Sequence, residues 1–573
     1  GISTISRKSI MKAINKIFIG LGVAVAATAF SACTGDLDVP VQNPNELTPG
    51  EFSKDPKGYL DRCMAEIYQG LATAGNGGAG SSILGEGSGG AGEGTFTRTI
   101  FTLEELTTDN FSWLQFNDAG FYELVTQNFA PDNQVMYQTY SRIYAEIALC
   151  NQFIRTVNSG AFALPEDLVA TAEDYIRQAK VVRSLAYFYA IDLFGDCGYV
   201  DESAAAGSAP PQVTRQEAYE TVVKTLEDVS AEWGDNYSEP AYGYVGKEVA
   251  DAILVKFYLN AATWGINDPQ AYQKCWNLAG KIIANHRGEG LDGTGLAESY
   301  LALFGANNHE YAPRGTRANE IIMTVPQDGT QLESYGGSTF YIASVCGSNP
   351  GISSVNDCNL AAQWTCMVAR QQLSEMFAWT PDGTALDKRA AIWKTKKDGF
   401  RIDNSIIEGN DGYAKGYAPL KYTNFAYNTD GTVDAASSPA NTMAFSDADW
   451  VVIRLAEIYL SAAEAYVLGN AGNATDALIY VNNIRGRAGL TGWDPSDLTA
   501  DNLLAERNRE LYGENDRRTA LVRHGKYAGS NYIWNWKGGV QHGAGTPTYM
   551  NLFPIPDKVI SFSGYRQNDG YRR

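Results

Sequence analysis

The stretch VATAEDYIRQAKVVRSLAYFYAIDLFG, residues 169–195, decides the fold class. Its apolar positions, Val169, Ala172, Ile176, Ala179, Val182, Ala186, Tyr189 and Leu193, recur at spacings of three and four. That period keeps one face of an α-helix apolar for about seven turns. Gly195 is a natural breaker at its end. So long a one-sided helix needs partners, and the sequence supplies them on both sides. Upstream, residues 137–157 carry Tyr140, Ile143, Tyr144, Ile147 and Ile154. Downstream, Thr214 and Glu217 have the spacing of a capping box and open a helix to about Trp233. Residues 247–264 and 271–285 continue the series. Late in the chain, Ser446 to Asp449 again has capping-box form, ahead of Ile453, Ala456, Leu460, Ala463 and Val467. Gly469 and Asn470 end that helix, 474–487 forms its partner, and 503–512 with a turn over 518–525 complete the set.

Helix pairs joined by short turns, with Ala462, Ala463 and Ala477 at crossing points, predict an all-α, tetratricopeptide-like helix-pair scaffold. We expect it over about 50–290 and 446–530 of a single domain spanning 33–573. Two regions break the rhythm: a Gly-rich tract at 75–95, and an irregular insert over about 290–445 rich in Gly, Pro, Asn and aromatic residues. Loops held by a rigid scaffold are where binding concentrates, so the insert is the expected ligand-facing part.

Composition narrows the function. The 573 residues hold 45 Lys and Arg against 65 Asp and Glu, a net charge of −20. Phosphate contacts need clustered cations, so nucleic acid is not an expected partner. An aromatic content of 12% gives the fold many rings to bury or to offer to ligands.

The N-terminus reads as an export signal. Residues 1–10 precede Met11 as an extension, and Lys12 and Lys16 stand before the apolar run 17–30. At 1.5 Å per residue that run reaches about 21 Å, too short for a hydrocarbon core of about 30 Å. It ends in Phe30-Ser31-Ala32-Cys33, similar to a bacterial lipobox with Cys33 as the acylated residue. Removal of 1–32 would take four basic residues and no acids, leaving the mature chain at −24. No later stretch is apolar enough to span a membrane, so the expectation is an anchored protein. Seven cysteines remain after Cys33, and an odd number leaves at least one thiol. Cys63, Cys150 and Cys275 fall in helical patterns, whereas Cys346, Cys358 and Cys366 could hold one disulfide.

Enzyme signatures are not found. The four histidines, His286, His309, His524 and His542, have no second ligand at metal spacing, and no GxSxG elbow occurs. Residues 75–80 and 85–90 each satisfy GxGxxG, but neither opens a βαβ unit, so both read as surface loop. No catalytic residue, cofactor or metal site is expected.

Several motifs in order resemble the SusD/RagB family of Bacteroidetes nutrient-binding lipoproteins. The most specific stretch is IRLAEIYL at 453–460 with Ala463-Glu464-Ala465, followed by VNNIRGRAG at 481–489 and ERNREL at 506–511. Arg517-Arg518, FPIP at 553–556 and QNDGY at 567–571 follow, and upstream RSLAYFY at 183–189 with LFGD at 193–196 matches too. The resemblance covers essentially the whole mature chain. Arg454, Glu457, Glu506, Arg507 and Glu510 within it sit at helical spacings suited to structural ion pairs. The acids behind Cys33 resemble the surface-export signal of the family, which implies a lipid anchor on the outer face of the outer membrane. The resemblance further implies capture of a glycan without turnover and delivery to a SusC-like TonB-dependent transporter. Peptide capture is the second reading, and an α-helical glycoside hydrolase the third.

The residues 109–118, DNFSWLQFND, and the neighbouring Arg98 resemble the N-terminal region of the starch-binding branch. Sugars present C–H faces to rings and hydroxyls to planar polar groups. The resemblance therefore points to Trp113 and Asn117, with Arg98 for hydroxyl contacts and an α-glucan as ligand. Trp113 as a plug in the helix core is the competing reading. Tyr335 and Tyr341, with Gly336, Gly337 and Ser338 between them, form the expected opposing wall. Trp364, ahead of an expected helix over 368–377, is a further candidate for it.

Overall fold

The computed structural model describes residues 49–75, 94–160, 163–347, 355–390, 393 and 418–572. The signal segment, Cys33 and the Gly-rich tract 76–93 lie outside them. The main elements are α1 (Pro56–Ala72), α2 (Phe96–Glu105), β1 (Phe111–Trp113), α3 (Phe121–Val125), α4 (Gln134–Asn158) and α5 (Val169–Phe194). Next come α6 (Arg215–Glu232), α7 (Lys247–Asn260), α8 (Ala271–Asn285), β2 (Ile321–Val325), α9 (Gly337–Val345), α10 (Val355–Cys358) and β3 (Met367–Ala369). The chain continues through β4 (Trp450–Arg454), α11 (Leu455–Gly469), α12 (Ala474–Arg487), α13 (Ala500–Leu511) and α14 (Arg517–Arg523).

The helices stack in series. α4 packs on α5, α5 on α6, α6 on α7 and α7 on α8. Then α8 packs on α11, which also holds α12 and α13. The helical row therefore continues across the irregular insert as if the insert were absent. This is the all-α helix-pair scaffold expected from the periodicity. Ala462, Ala463 and Ala477 are buried, as small residues at crossings must be. Where α8 crosses the end of α11 the approach is closest. A Cβ on Gly469 would sit 2.1 Å from the Tyr272 ring, and one on Gly472 1.9 Å from the Trp276 ring.

Local signals account for the helix ends. Gly195 takes φ 76° after α5, Thr214 and Glu217 close the capping box of α6, and Asn470 caps α11 with φ 53°. Two expectations are corrected. Residues 446–449 do not open a helix: Trp450–Arg454 is a strand, antiparallel to Ile321–Val325, and the helix begins at Leu455. The run Trp450-Val451-Val452-Ile453 is β-branched and aromatic, and once a partner strand from the insert lies beside it, pairing wins. Similarly, 368–377 is strand β3 and then a short helix, Gln371–Glu375, because Met367–Ala369 pairs with Phe111–Trp113.

The motif charges are scaffold. Arg454 bonds Glu320 at 3.0 Å, Glu510 at 2.7 Å and Glu514 at 2.8 Å, all buried. Arg487 joins Glu320 at 2.8 Å, and Arg389 joins Glu506 at 2.7 Å. Arg507 pairs Glu464 at 2.6 Å and Asp516 at 2.7 Å, while Glu457 takes Lys256 at 2.5 Å. These contacts tie α11 to α13 and both to the insert through Glu320 and Arg389.

Among the described residues, Glu146 on α4 is a buried carboxylate outside this pairing and without hydrogen bonds to either oxygen. Burial drives its carboxyl well above the ordinary range, against the pull of Arg142. A raised carboxyl contributes stability below the unfolded-state value and loses it as pH rises through the folded one. We therefore expect Glu146→Gln to match wild type near pH 4 and to unfold at a higher temperature than wild type at pH 8. Melting curves across that range check it, and a gap independent of pH would contradict it.

Candidate functional site

Three of the expected residues meet at one place: Tyr335 and Trp364 from the insert, and Arg98 from α2. Tyr335 and Trp364 are half-buried, with ring centroids 5.8 Å apart at 61°. Phe445, also half-buried, stands 5.3 Å from Tyr335 on the other side. Arg98 reaches the same cluster from α2. Its guanidinium lies 5.4 Å from the Trp364 ring centre and 4.6 Å from that of Phe340, and Nη1 donates to the Tyr335 carbonyl at 3.3 Å. Gln115 donates to the Thr365 carbonyl at 3.0 Å, next to Trp364 in the chain, and Asn117, two residues on from Gln115, is exposed.

Each ring has a local reason for its position. Tyr335 precedes Gly336 and Gly337, which lie against the start of α2. A Cβ on Gly336 would fall 2.2 Å from Thr95 Oγ1, and Gly337, at φ 56°, donates to Thr97 Oγ1 at 3.0 Å. Only residues without side chains permit that approach. Trp364 is held by its backbone N–H on the Ala343 carbonyl at 2.7 Å. Its neighbour Thr365 takes φ 55°, a left-handed conformation that costs a β-branched residue about 1–2 kcal/mol. Two hydrogen bonds to the Thr365 backbone over-determine this conformation: its N–H donates to the Cys346 carbonyl at 2.9 Å, and its carbonyl accepts from the Gln115 side-chain amide at 3.0 Å.

Two expected ligand contacts are corrected. Trp113 is 1% exposed, stacked on Phe121 at 4.6 Å and on Phe340 at 5.9 Å, with Nε1 donating to Asp118 at 2.8 Å. It lies beneath Phe340, which itself lies beneath Trp364 and Arg98, so the core reading of Trp113 holds. Instead of a loop, its segment is strand β1. Tyr341 is fully buried within α9, its hydroxyl donating to the Pro419 carbonyl at 2.8 Å. The glycines before it start a helix rather than prolong a loop, and the helix turns this ring inward. Neither residue has a free face for a ligand.

Sequence reading missed Phe445, whose polar, loop-like surroundings give no periodic signal. It also missed the pair Phe116 and Tyr122, 4.9 Å apart, with Tyr122 exposed beside Asn117. Burial pushes the Cys366 thiol beneath the cluster up to about 12. The two histidines nearest to carboxylates serve packing. His286 bonds Glu248 at 2.6 Å and His524 bonds Glu464 at 2.6 Å, both inside the scaffold. Chemically the cluster offers aromatic faces, with the Arg98 guanidinium, itself 7% exposed, packed against them and the Gln115 amide on the adjoining turn. That set stacks against C–H surfaces and hydrogen-bonds hydroxyls.

Comparison with known proteins gives concordant results. Residues 388–571 match the SusD family. The starch-binding protein SusD of Bacteroides thetaiotaomicron is 26% identical across 98% of this chain and all of its own. A SusD-like protein of Formosa agariphila is 24% identical over 68% of this chain and 70% of its own. Among solved structures, a SusD superfamily protein from Bacteroides vulgatus superposes with TM-score 0.62 at 19% identity, over 90% of this chain and 99% of the other. Surface glycan-binding protein A from Bacteroides thetaiotaomicron, in complex with laminarihexaose, gives 0.61 at 17% identity, over 89% and 99%.

Proposed function

The chain belongs to the SusD/RagB family, and on that premise we propose that it captures a soluble glycan at the Tyr335–Trp364–Phe445 cluster and does not cleave it. The observation that carries the reading is the cluster itself: half-buried rings fixed by backbone bonds, with Arg98 against Trp364 and the Gln115 amide bonded to the residue after it. Buried pockets stack on core rings completely, whereas these rings keep part of their faces in solvent. Tyr335 and Trp364 supply the stacking surface, and Arg98, Asn117 and Gln115 the hydroxyl contacts. The ligand we favour is an α-glucan, the class named for the relative SusD. The protein acts from the outer face of the outer membrane, held by lipid on Cys33, and passes the glycan to a SusC-like TonB-dependent transporter.

Native electrophoresis through gels cast with different polysaccharides tests this. Retardation by a neutral α-glucan, with no shortened products in the gel buffer, is the expected result. Free migration in every polysaccharide, together with saturable binding of oligopeptides, would replace the glycan with a peptide.

A further inference from the structure

Cys346 follows the last turn of α9, and Cys358 is the last residue of α10. Both are fully buried thiols, and Cys358 lies close enough to Cys346 to hold its proton on, while Cys358 Sγ also donates to the Leu360 carbonyl at 3.9 Å. The described chain around them is held at several points. The Gln363 amide, in the orientation its neighbours require, donates to the Gly347 carbonyl at 2.8 Å and accepts from Val355 N–H at 3.2 Å. The residue after the first cysteine and the start of the second's helix are thereby held together. Thr365 N–H donates to the Cys346 carbonyl at 2.9 Å, and Asn424 N–H to the Cys358 carbonyl at 2.8 Å. Cys366 faces elsewhere, its thiol donating to the Trp364 carbonyl at 3.3 Å.

We propose that Cys346 and Cys358 form a disulfide during export, closing residues 346–358 into a covalent loop at the base of the Trp364 wall. The oxidant is the disulfide of a thiol-oxidising protein. One cysteine, as thiolate, attacks a donor sulfur and forms a mixed disulfide, releasing the donor's other sulfur as a thiol. The second cysteine then attacks the mixed disulfide, and the donor leaves as a dithiol carrying the two electrons and two protons of the pair. Burial also fixes the timing. A thiol held among apolar groups is seldom a thiolate, and burial pushes that of Cys346 well up. Exchange is therefore fast before α9 and α10 close over the pair and slow afterwards, which makes the bond structural rather than a switch. Cross-linking also restricts the unfolded chain. The same loop supports the backbone bond that holds Thr365 in its strained conformation.

The inference is independent of the ligand. The full chain, exported and purified without reductant, is denatured directly into an alkylating agent, digested and mass-mapped, with and without prior reduction. The expected result is that Cys346 and Cys358 take label only after reduction, as one linked peptide pair, while Cys63, Cys150, Cys197, Cys275 and Cys366 label at once. Direct labelling of both Cys346 and Cys358 without reductant overturns the proposal, as does a linked pair that involves Cys366. As a second readout, the exported protein should melt at a higher temperature than the same chain refolded with its thiols reduced. Equal melting temperatures would show that no such bond constrains the fold. Should a Cys346→Ser, Cys358→Ser double variant fail to fold, the map of the wild-type chain still decides.

Discussion

Glu510→Ala should lower stability by about 3–5 kcal/mol, the cost of removing one partner from a buried charge network. Glu510 accepts from Arg454 at 2.7 Å, Arg389 at 3.2 Å and Arg487 at 2.5 Å, and all four side chains are fully buried. Taking the carboxylate away leaves three guanidiniums short of a counter-charge in a dry interior. The loss should be large because the network joins α13 to α11, α12 and the insert. Burial alone would raise the Glu510 carboxyl, but Arg487, Arg454 and Arg389 outweigh it and hold it well below the usual carboxylate range. Glu506, under Arg389, Arg509 and Arg485, is likewise drawn down against burial, to about 2. A depressed carboxyl contributes stability above its unfolded value and loses it only as pH falls through the folded one. The deficit of Glu510→Ala should therefore persist through neutral pH and shrink only in strong acid. Denaturant titrations at pH 7 and pH 3 check both statements. The exposed Lys224–Asp228 pair, by contrast, should be removable without measurable effect.

Trp364→Ala should weaken glycan binding by about tenfold to a hundredfold, equivalent to about 1–3 kcal/mol, while the fold survives. Trp364 is half-buried, so truncation removes a stacking face without opening the deep core. Its backbone bonds to Ala343 and, through Thr365, to Cys346 do not need the side chain. Trp113→Ala gives the contrast. That ring is packed between Phe121 and Phe340, so its loss should lower the melting temperature strongly and reach binding only through the collapse of Phe340 beneath Trp364. Calorimetry paired with thermal unfolding separates the two. Normal binding by folded Trp364→Ala would move the site elsewhere.

The helical scaffold was legible because its signals are local. Three- and four-residue spacing, a Thr214–Glu217 box and Gly195 each act within a few residues, and α5, α8 and α12 fall where these signals put them. The two strands that interrupt expected helices depend on partners far off in sequence. Trp450–Arg454 pairs with Ile321–Val325 and Met367–Ala369 with Phe111–Trp113. No window of a dozen residues contains that information. The candidate site divides in the same way. Arg98, Tyr335 and Trp364 were found by residue type, and the fold brings these three into contact, while Asn117 is exposed on the turn after β1. Trp113 and Tyr341 have the same chemistry, but burial is decided by what packs over a ring. Phe445 reaches Tyr335 across more than a hundred residues, and nothing local to it marks it out.

Glycan capture by the Tyr335–Trp364 cluster is tested most directly by titrating the folded chain with an α-1,4-linked gluco-oligosaccharide, at low and at high salt, and by analysing the ligand afterwards. Neutral hydroxyls and C–H faces carry no charge to screen, so the dissociation constant should be saturable and nearly the same at both salt concentrations. The oligosaccharide should come back at its original length. No heat of binding with this or any other neutral glycan, or affinity that collapses as salt is raised, would contradict the account.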